Sequence, residues 1–206
     1  MPRPPEPEKR LDLARRAAAV LQREGLELSV ARLAAKLGVK RPTLLYHFPS
    51  YASIFETVLR SVLVEQAAFV LARMAEHEHP IDRLYAQLRA VHEFHDGRED
   101  RMLFLTQAIA ATGGARARAI VAMGNQVFEA HRREAAERVR EGIARGVVAQ
   151  CDPDALVAVV RAAIDGLMIQ RVIEGRSLAP AHALVWERLL LPLKRRPRRG
   201  KKRRAR

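Results

Sequence analysis

Residues 37–50 read "LGVKRPTLLYHFPS". Pro42 stands four residues before the cluster Tyr46-His47-Phe48, in a stretch that otherwise has helical spacing. Inside a helix, proline removes a hydrogen bond and clashes with the preceding turn. In the first turn its missing N–H has no intrahelical partner to lose, and its fixed φ suits a helix start. The stretch therefore divides into the end of one helix, a Gly38-Val39 turn, and a new helix beginning near Lys40. Just upstream, Val30, Leu33, Ala34 and Leu37 recur at i, i+3, i+4 and i+7, and Ser29 is placed to cap that helix. Two short helices joined by a tight glycine turn form a helix-turn-helix layout.

Placing residues 41–48 on a wheel at about 100° per residue separates two faces. Leu44 and Phe48 lie one turn apart and point inward. Tyr46 centres the opposite face, with Pro42 and Thr43 beside it and Arg41, Leu45 and His47 on the flanks. The preceding helix adds Ser29 and Arg32. Together these residues make a polar, basic, ring-bearing surface. Arginine and threonine reach base edges or phosphates, and tyrosine and histidine hydrogen-bond phosphates while packing on sugars. The same spacing also allows Tyr46 and His47 to be packing residues beneath the following helix.

The helical pattern continues along nearly the whole chain. Leu13, Ala17, Val20 and Leu21 share a face, as do Trp186, Leu189, Leu190 and Leu193. Gly25, Gly38, Pro49-Ser50, Pro80, Gly97, Gly113-Gly114, the 146–153 stretch and the 175–180 stretch punctuate it. About nine helices are expected, with no strand and no internal repeat. The fold class is all-α.

Of 206 residues, 49% are hydrophobic, yet no run approaches the roughly 20 residues that span a membrane. The opening "MPRPPEPEKR" lacks the apolar segment of a signal peptide. Cys151 is the sole cysteine, so no intramolecular disulfide framework is available. These features lead us to expect a cytoplasmic protein without membrane insertion. The net charge of +14 is unevenly spread. Residues 194–206, "KRRPRRGKKRRAR", hold ten Lys/Arg and no acid. Such a run attracts polyanions and is expected to be a disordered basic tail.

Helix-based chemistry is sparse. "HEFH" at 92–95 spaces two histidines for chelation, but no further ligand cluster lies near, so helix-surface or pocket histidines are expected and no metal or cofactor. No nucleophile elbow, phosphate-binding loop or zinc-protease motif is present.

The stretch from about Lys9 to Leu59 resembles the DNA-binding domain of the TetR family of bacterial transcriptional regulators. The matching residues are Ser29, Ala34, Gly38, Val39, Thr43, Leu44, Tyr46, His47, Phe48, Pro49 and Ser50. Three positions depart from the family pattern. Lys40 replaces a capping serine, Leu45 replaces the first of an aromatic pair, and Tyr51 replaces a lysine at the start of the fourth helix. The resemblance implies a flexible N-terminus at 1–8, a helix-turn-helix domain at 9–49 whose pattern extends to about 59, and a ligand-binding and dimerisation domain at 50–193. It implies double-stranded DNA as partner, with contacts from Ser29, Arg32, Lys40, Arg41, Pro42, Thr43, Tyr46, His47 and Tyr51. It also implies homodimers and a small-molecule effector that releases a repressor from a palindromic operator.

Two sites in the second region have support in the residues. The helix spanning about 153–174 is apolar around most of its circumference. Such a helix needs partners on more than one side. We expect Leu156, Val160, Ile164 and Leu167, with Trp186, Leu189 and Leu190 of the last helix, to form a four-helix dimer interface; deep burial in the chain's own core is the other reading. His92, Phe104, Gln107, Met123 and Phe128 are the expected effector contacts, since bundle pockets are apolar with a few convergent polar groups. A sequence-tolerant nucleic-acid binder driven by the tail is the alternative function. An enzyme built on a helical bundle is the remaining one.

Overall fold

The structure is a computed structural model. It describes residues 7–111 and 114–195, and between 101 and 127 only the side chains of residues 103, 104, 107, 108, 110, 118 and 122. The expected flexible segment therefore lies largely outside the described residues, as do most of the basic tail and the side chain of Met123. The described residues are helical and contain no strand, as their 3.6-residue apolar spacing dictates. Among them, no helix is long and apolar enough to cross a membrane.

Two compact units divide the chain. The first comprises residues 1–65 and 97–127. It holds α1 (Pro7–Glu24), α2 (Val30–Lys36), α3 (Arg41–His47), the first part of α4 (Tyr51–Ala75), α6 (Glu99–Ala111) and the first part of α7 (Gly114–Ala144). Helix α1 starts at Pro7, two residues ahead of the expected domain boundary, because proline and Glu8 both suit a first turn. Leu13, Ala14, Ala17 and Leu21 bury one face of α1, and Leu33 and Ala34 bury one face of α2. Ser29 caps α2, its Oγ accepting from the Arg32 amide at 3.3 Å. Gly38 then turns the chain at φ +69°, a conformation in which glycine carries no Cβ penalty.

The second unit comprises residues 66–96 and 128–206. It contains the rest of α4 and α7, α5 (Pro80–His95), α8 (Pro153–Glu174) and α9 (Ala179–Leu184). Helix α9 continues through a π-helical turn, Val185–Leu190, into a 3-10 turn, Leu191–Leu193. Its core joins Ile81, Leu84 and Leu88 of α5 to Val139 of α7, Leu156, Val160 and Ile164 of α8, and Leu190. Asp152 caps α8, accepting from the amides of Asp154 and Ala155 at 2.9 and 3.0 Å. At Gly142 an added Cβ would lie 2.6 Å from Val148 Cγ2, so only glycine lets α7 and the 146–149 loop pack this closely.

That loop also holds the end of the described chain. Val148 and Lys194 form an antiparallel bridge, with Ala149 N donating to Leu193 O and Arg195 N to Val147 O, both at 2.8 Å. Lys194 Nζ meets both Asp82 oxygens at 2.8 and 2.7 Å. Lys194 and Arg195 were expected in the disordered tail; these bonds and the ion pair place them in the folded unit instead.

Candidate nucleic-acid interface

Helix α3 is positioned from below. Leu44 and Phe48 are almost fully buried, and the Phe48 amide closes the helix on Leu44 O at 2.8 Å. Pro42 is its second residue, and Lys40 takes the N-cap place without a side-chain cap bond. The first-turn amides of α3 therefore lack that partner, which leaves a partial positive charge at its start.

Two arginines of α1 add supports that the sequence did not announce. The Arg16 guanidinium donates to Leu37 O at 2.7 Å, at the turn between α2 and α3. Arg10 Nε donates to His47 O at 3.3 Å, and its guanidinium lies 5.2 Å from the Phe48 ring centroid. Their only sequence signal is helical spacing on α1, six residues apart, and nothing local names their targets.

The outward face is open. Ser29, Arg32, Lys40, Arg41, Pro42 and Thr43 are exposed, and Tyr46 is 52% exposed. Half-buried His47 sits edge-on to Tyr46, their centroids 5.4 Å apart. Its Nδ1 is buried without a hydrogen-bond partner. Tyr51 is also half-buried, and its hydroxyl donates to Leu28 O. Burial raises the Tyr51 pKa. With its proton committed to a backbone carbonyl, Tyr51 cannot at the same time donate to a phosphate, so its first role is to fasten the start of α4 to the loop before α2.

The expected effector residues do not line one cavity. Phe104 packs edge-on to Phe55 at 5.7 Å and borders a cavity of about 340 Å³ with Ala18, Val58 and Gln22. Gln107 is exposed. Phe128 borders a much smaller void, about 30 Å³, with Gln66, Met74 and Gln87. The Arg161 guanidinium lies 5.8 Å from the Phe128 ring. His92 is buried beside a third cavity with Arg89, Arg171 and His182.

The expected dimer residues also need correction. Leu156, Val160, Ile164 and Leu190 are buried in the second unit's own core, and Trp186 and Leu189 pack against it. Trp186 packs on Tyr85, their ring centroids 4.8 Å apart and their planes tilted by 37°. Leu167 is half-buried. The periodicity of α8 was right, but its named face is taken by α5 packing in the same chain. Among the described residues of the second unit, the large apolar side chains left exposed are Val159, Ile169, Ile173, Leu184 and Leu191.

Residues 13–58 match the family model of bacterial regulatory proteins, tetR family. No curated protein matches the chain in sequence. Several solved structures share the fold at low identity. A candidate transcriptional regulator from Saccharomonospora viridis, solved in complex with choline, is 21% identical, with TM-score 0.69, covering 93% of this chain and 100% of that one. A TetR/AcrR-family regulator from Thermobifida fusca is 18% identical, with TM-score 0.67 and coverage of 88% and 98%. PfmR of Thermus thermophilus, a TetR-family regulator, is 20% identical, with TM-score 0.64 and coverage of 89% and 99%.

Proposed function

We propose that this chain, whose residues 13–58 match the family model of bacterial regulatory proteins, tetR family, is a homodimeric repressor of that family, reading a palindromic operator and released by a small molecule. The observation that carries this reading is the face of α3. Arg41, Thr43 and Tyr46 are exposed on a helix whose opposite side is anchored by Leu44 and Phe48. Anchored on one side and chemically equipped on the other, α3 suits insertion into a major groove. Ser29, Arg32, Lys40 and Pro42 extend the contact, and His47 and Tyr51 act mainly by holding α3 and α4 in place.

Two copies would place α3 in successive half-sites about 34–36 Å apart. The exposed Val159, Ile169 and Ile173 of α8, with Leu184 of α9, are the face offered to the second copy. Repression is the family's default and enters by analogy. Release requires an effector that binds one spacing of the two α3 helices better than another. Helix α4 runs unbroken for 25 residues and contributes to both compact units, so it is the element through which a ligand would act.

The test is selection of an operator from random DNA by the purified protein. Two inverted half-sites should be enriched. Arg41→Ala should then cost about 1–3 kcal/mol on that operator if Arg41 grips a base edge. Tyr46→Ala should weaken binding while leaving the melting temperature near that of the parent. Strong binding without any enriched sequence would favour the sequence-tolerant alternative.

A further inference from the structure

Where α5, α8 and the beginning of α9 meet, a cavity of about 260 Å³ is bordered by Arg89, His92, Asp96, Arg171, Leu178 and His182. All belong to the second unit. The two histidine rings are nearly parallel, 5° apart, with centroids 5.0 Å apart. His92 Nε2 lies 2.9 Å from Ile164 O, and His92 Nδ1 lies 2.7 Å from His182 Nε2.

These two contacts set the tautomers. A carbonyl oxygen only accepts, so His92 carries its hydrogen on Nε2. Its Nδ1 then holds a lone pair and must receive the His182 Nε2 hydrogen. The remaining lone pair of the relay sits on His182 Nδ1. His92 is buried, whereas His182 is half-exposed and borders the cavity.

The charges nearby do not balance. Helix α5 presents Arg89 and Glu93, with Asp96 just past its end, and α8 presents Asp165 and Arg171. Each carboxylate already has an arginine: Glu93 with Arg73 at 2.8 Å, Asp96 with Arg171, and Asp165 with Arg161 at 2.7 Å. Arg89 has no hydrogen-bond or ion-pair partner among the described residues. Burial, then the neighbouring His92 and the charges of Arg89 and Arg171, hold His182 down to about 4. The cavity thus combines an unmatched guanidinium, an imidazole with an unused lone pair, and an apolar wall from Leu178 and Ala179.

We propose that this cavity binds a small carboxylic acid as its anion, with the carboxylate bridging the Arg89 guanidinium and His182. The carboxylate oxygens accept from the Arg89 N–H groups and from a hydrogen that His182 Nδ1 takes up from solvent. Anion and proton enter together, so the site gains no net charge. The volume suits a compact acid, with a short chain or a single ring. Binding is felt at Ile164 through His92, which places the signal inside the α5–α8 packing. The site concerns binding alone; only its effect on DNA rests on the reading of the chain as an effector-released repressor.

The experiment is calorimetric titration of the full chain at pH 7 with acetate, benzoate and octanoate, each beside its amide. At least one acid should bind roughly tenfold or more tighter than its amide, the usual worth of a charge-assisted hydrogen bond. Arg89→Met should remove that preference. His182→Gln should abolish the proton uptake read from heats in two buffers of different ionisation enthalpy. Circular dichroism and melting of both variants confirm that they are folded. The proposal is overturned if no acid binds, if amides bind as well as acids, or if both folded variants match the parent. A separate operator titration with the bound acid tests the regulatory reading. Operator affinity unchanged by a bound acid would overturn effector release from this site and leave the site itself standing.

Discussion

His182 makes the fold sensitive to acid. Its ordinary value is 6.5, and in the folded chain it lies at about 4, first through burial and then through neighbouring cationic groups. His92 is lowered in the same direction, chiefly by burial. The unfolded chain therefore binds protons that the folded chain refuses, and stability falls as the pH is lowered wherever the unfolded state binds more. The contribution is fully present above about 6.5 and is lost as pH drops toward 4. Melting temperature should decline across that interval, and His182→Gln should flatten the decline. An equal slope in the variant would assign the effect to other groups. At this scale the sequence was readable where cause and effect are neighbours. Leu44, Phe48, the Ser29 cap and Pro42 follow from local spacing and backbone chemistry. The Arg16 bond to Leu37 and the His92–His182 pair, 90 residues apart, do not, because no local rule brings distant side chains together.

Among the elements, α3 illustrates a conflict between stability and binding. Lys40 occupies its N-cap position without a cap bond. Lys40→Ser should stabilise the domain by about 1 kcal/mol, the usual worth of a hydroxyl cap. It should also weaken operator binding and reduce the slope of log affinity against log salt by about 0.9 if Lys40 meets a phosphate. Both readouts come from one variant. A stabilised protein with unchanged affinity would remove Lys40 from the DNA face. Helix α8 shows where element-level reading runs out. A helix apolar on most sides has two candidate faces, and a wheel cannot say which one its own chain covers. Packing with α5 takes the Leu156, Val160 and Ile164 side, leaving Ile169 and Ile173 outward. The helical turn after α9 was legible as helix, whereas its π-type winding at 185–190 has no residue signature.

For the molecule as a whole, assembly is the first question. Ile169 and Ile173 are 59% and 76% exposed, and burying a large apolar side chain contributes about 1.5–3 kcal/mol. The pair Ile169→Glu and Ile173→Glu should shift a homodimer toward monomer in sedimentation and reduce operator affinity, with the helical spectrum retained. Leu156→Glu should instead unfold the second unit. The second question is the basic tail. Deleting residues 196–206 removes eight Lys/Arg and should lessen the slope of log affinity against log salt by about 0.9 for each phosphate that the tail neutralises. An unaltered slope would give the tail a different partner.

The strap at Val148 and Lys194 gives the basic run at 196–206 a fixed point of departure. Because Arg195 is tied to Val147, the eleven residues that follow it cannot travel beyond about 36–40 Å even at full extension. Linkers of that length confer effective concentrations in the millimolar range. Any polyanion already gripped by this protein would thus meet its cationic groups at a local concentration that no free peptide of the same sequence attains in dilute solution. Deleting residues 196–206 while supplying the same peptide in trans would separate chemistry from attachment, since only the attached copy enjoys that local enrichment.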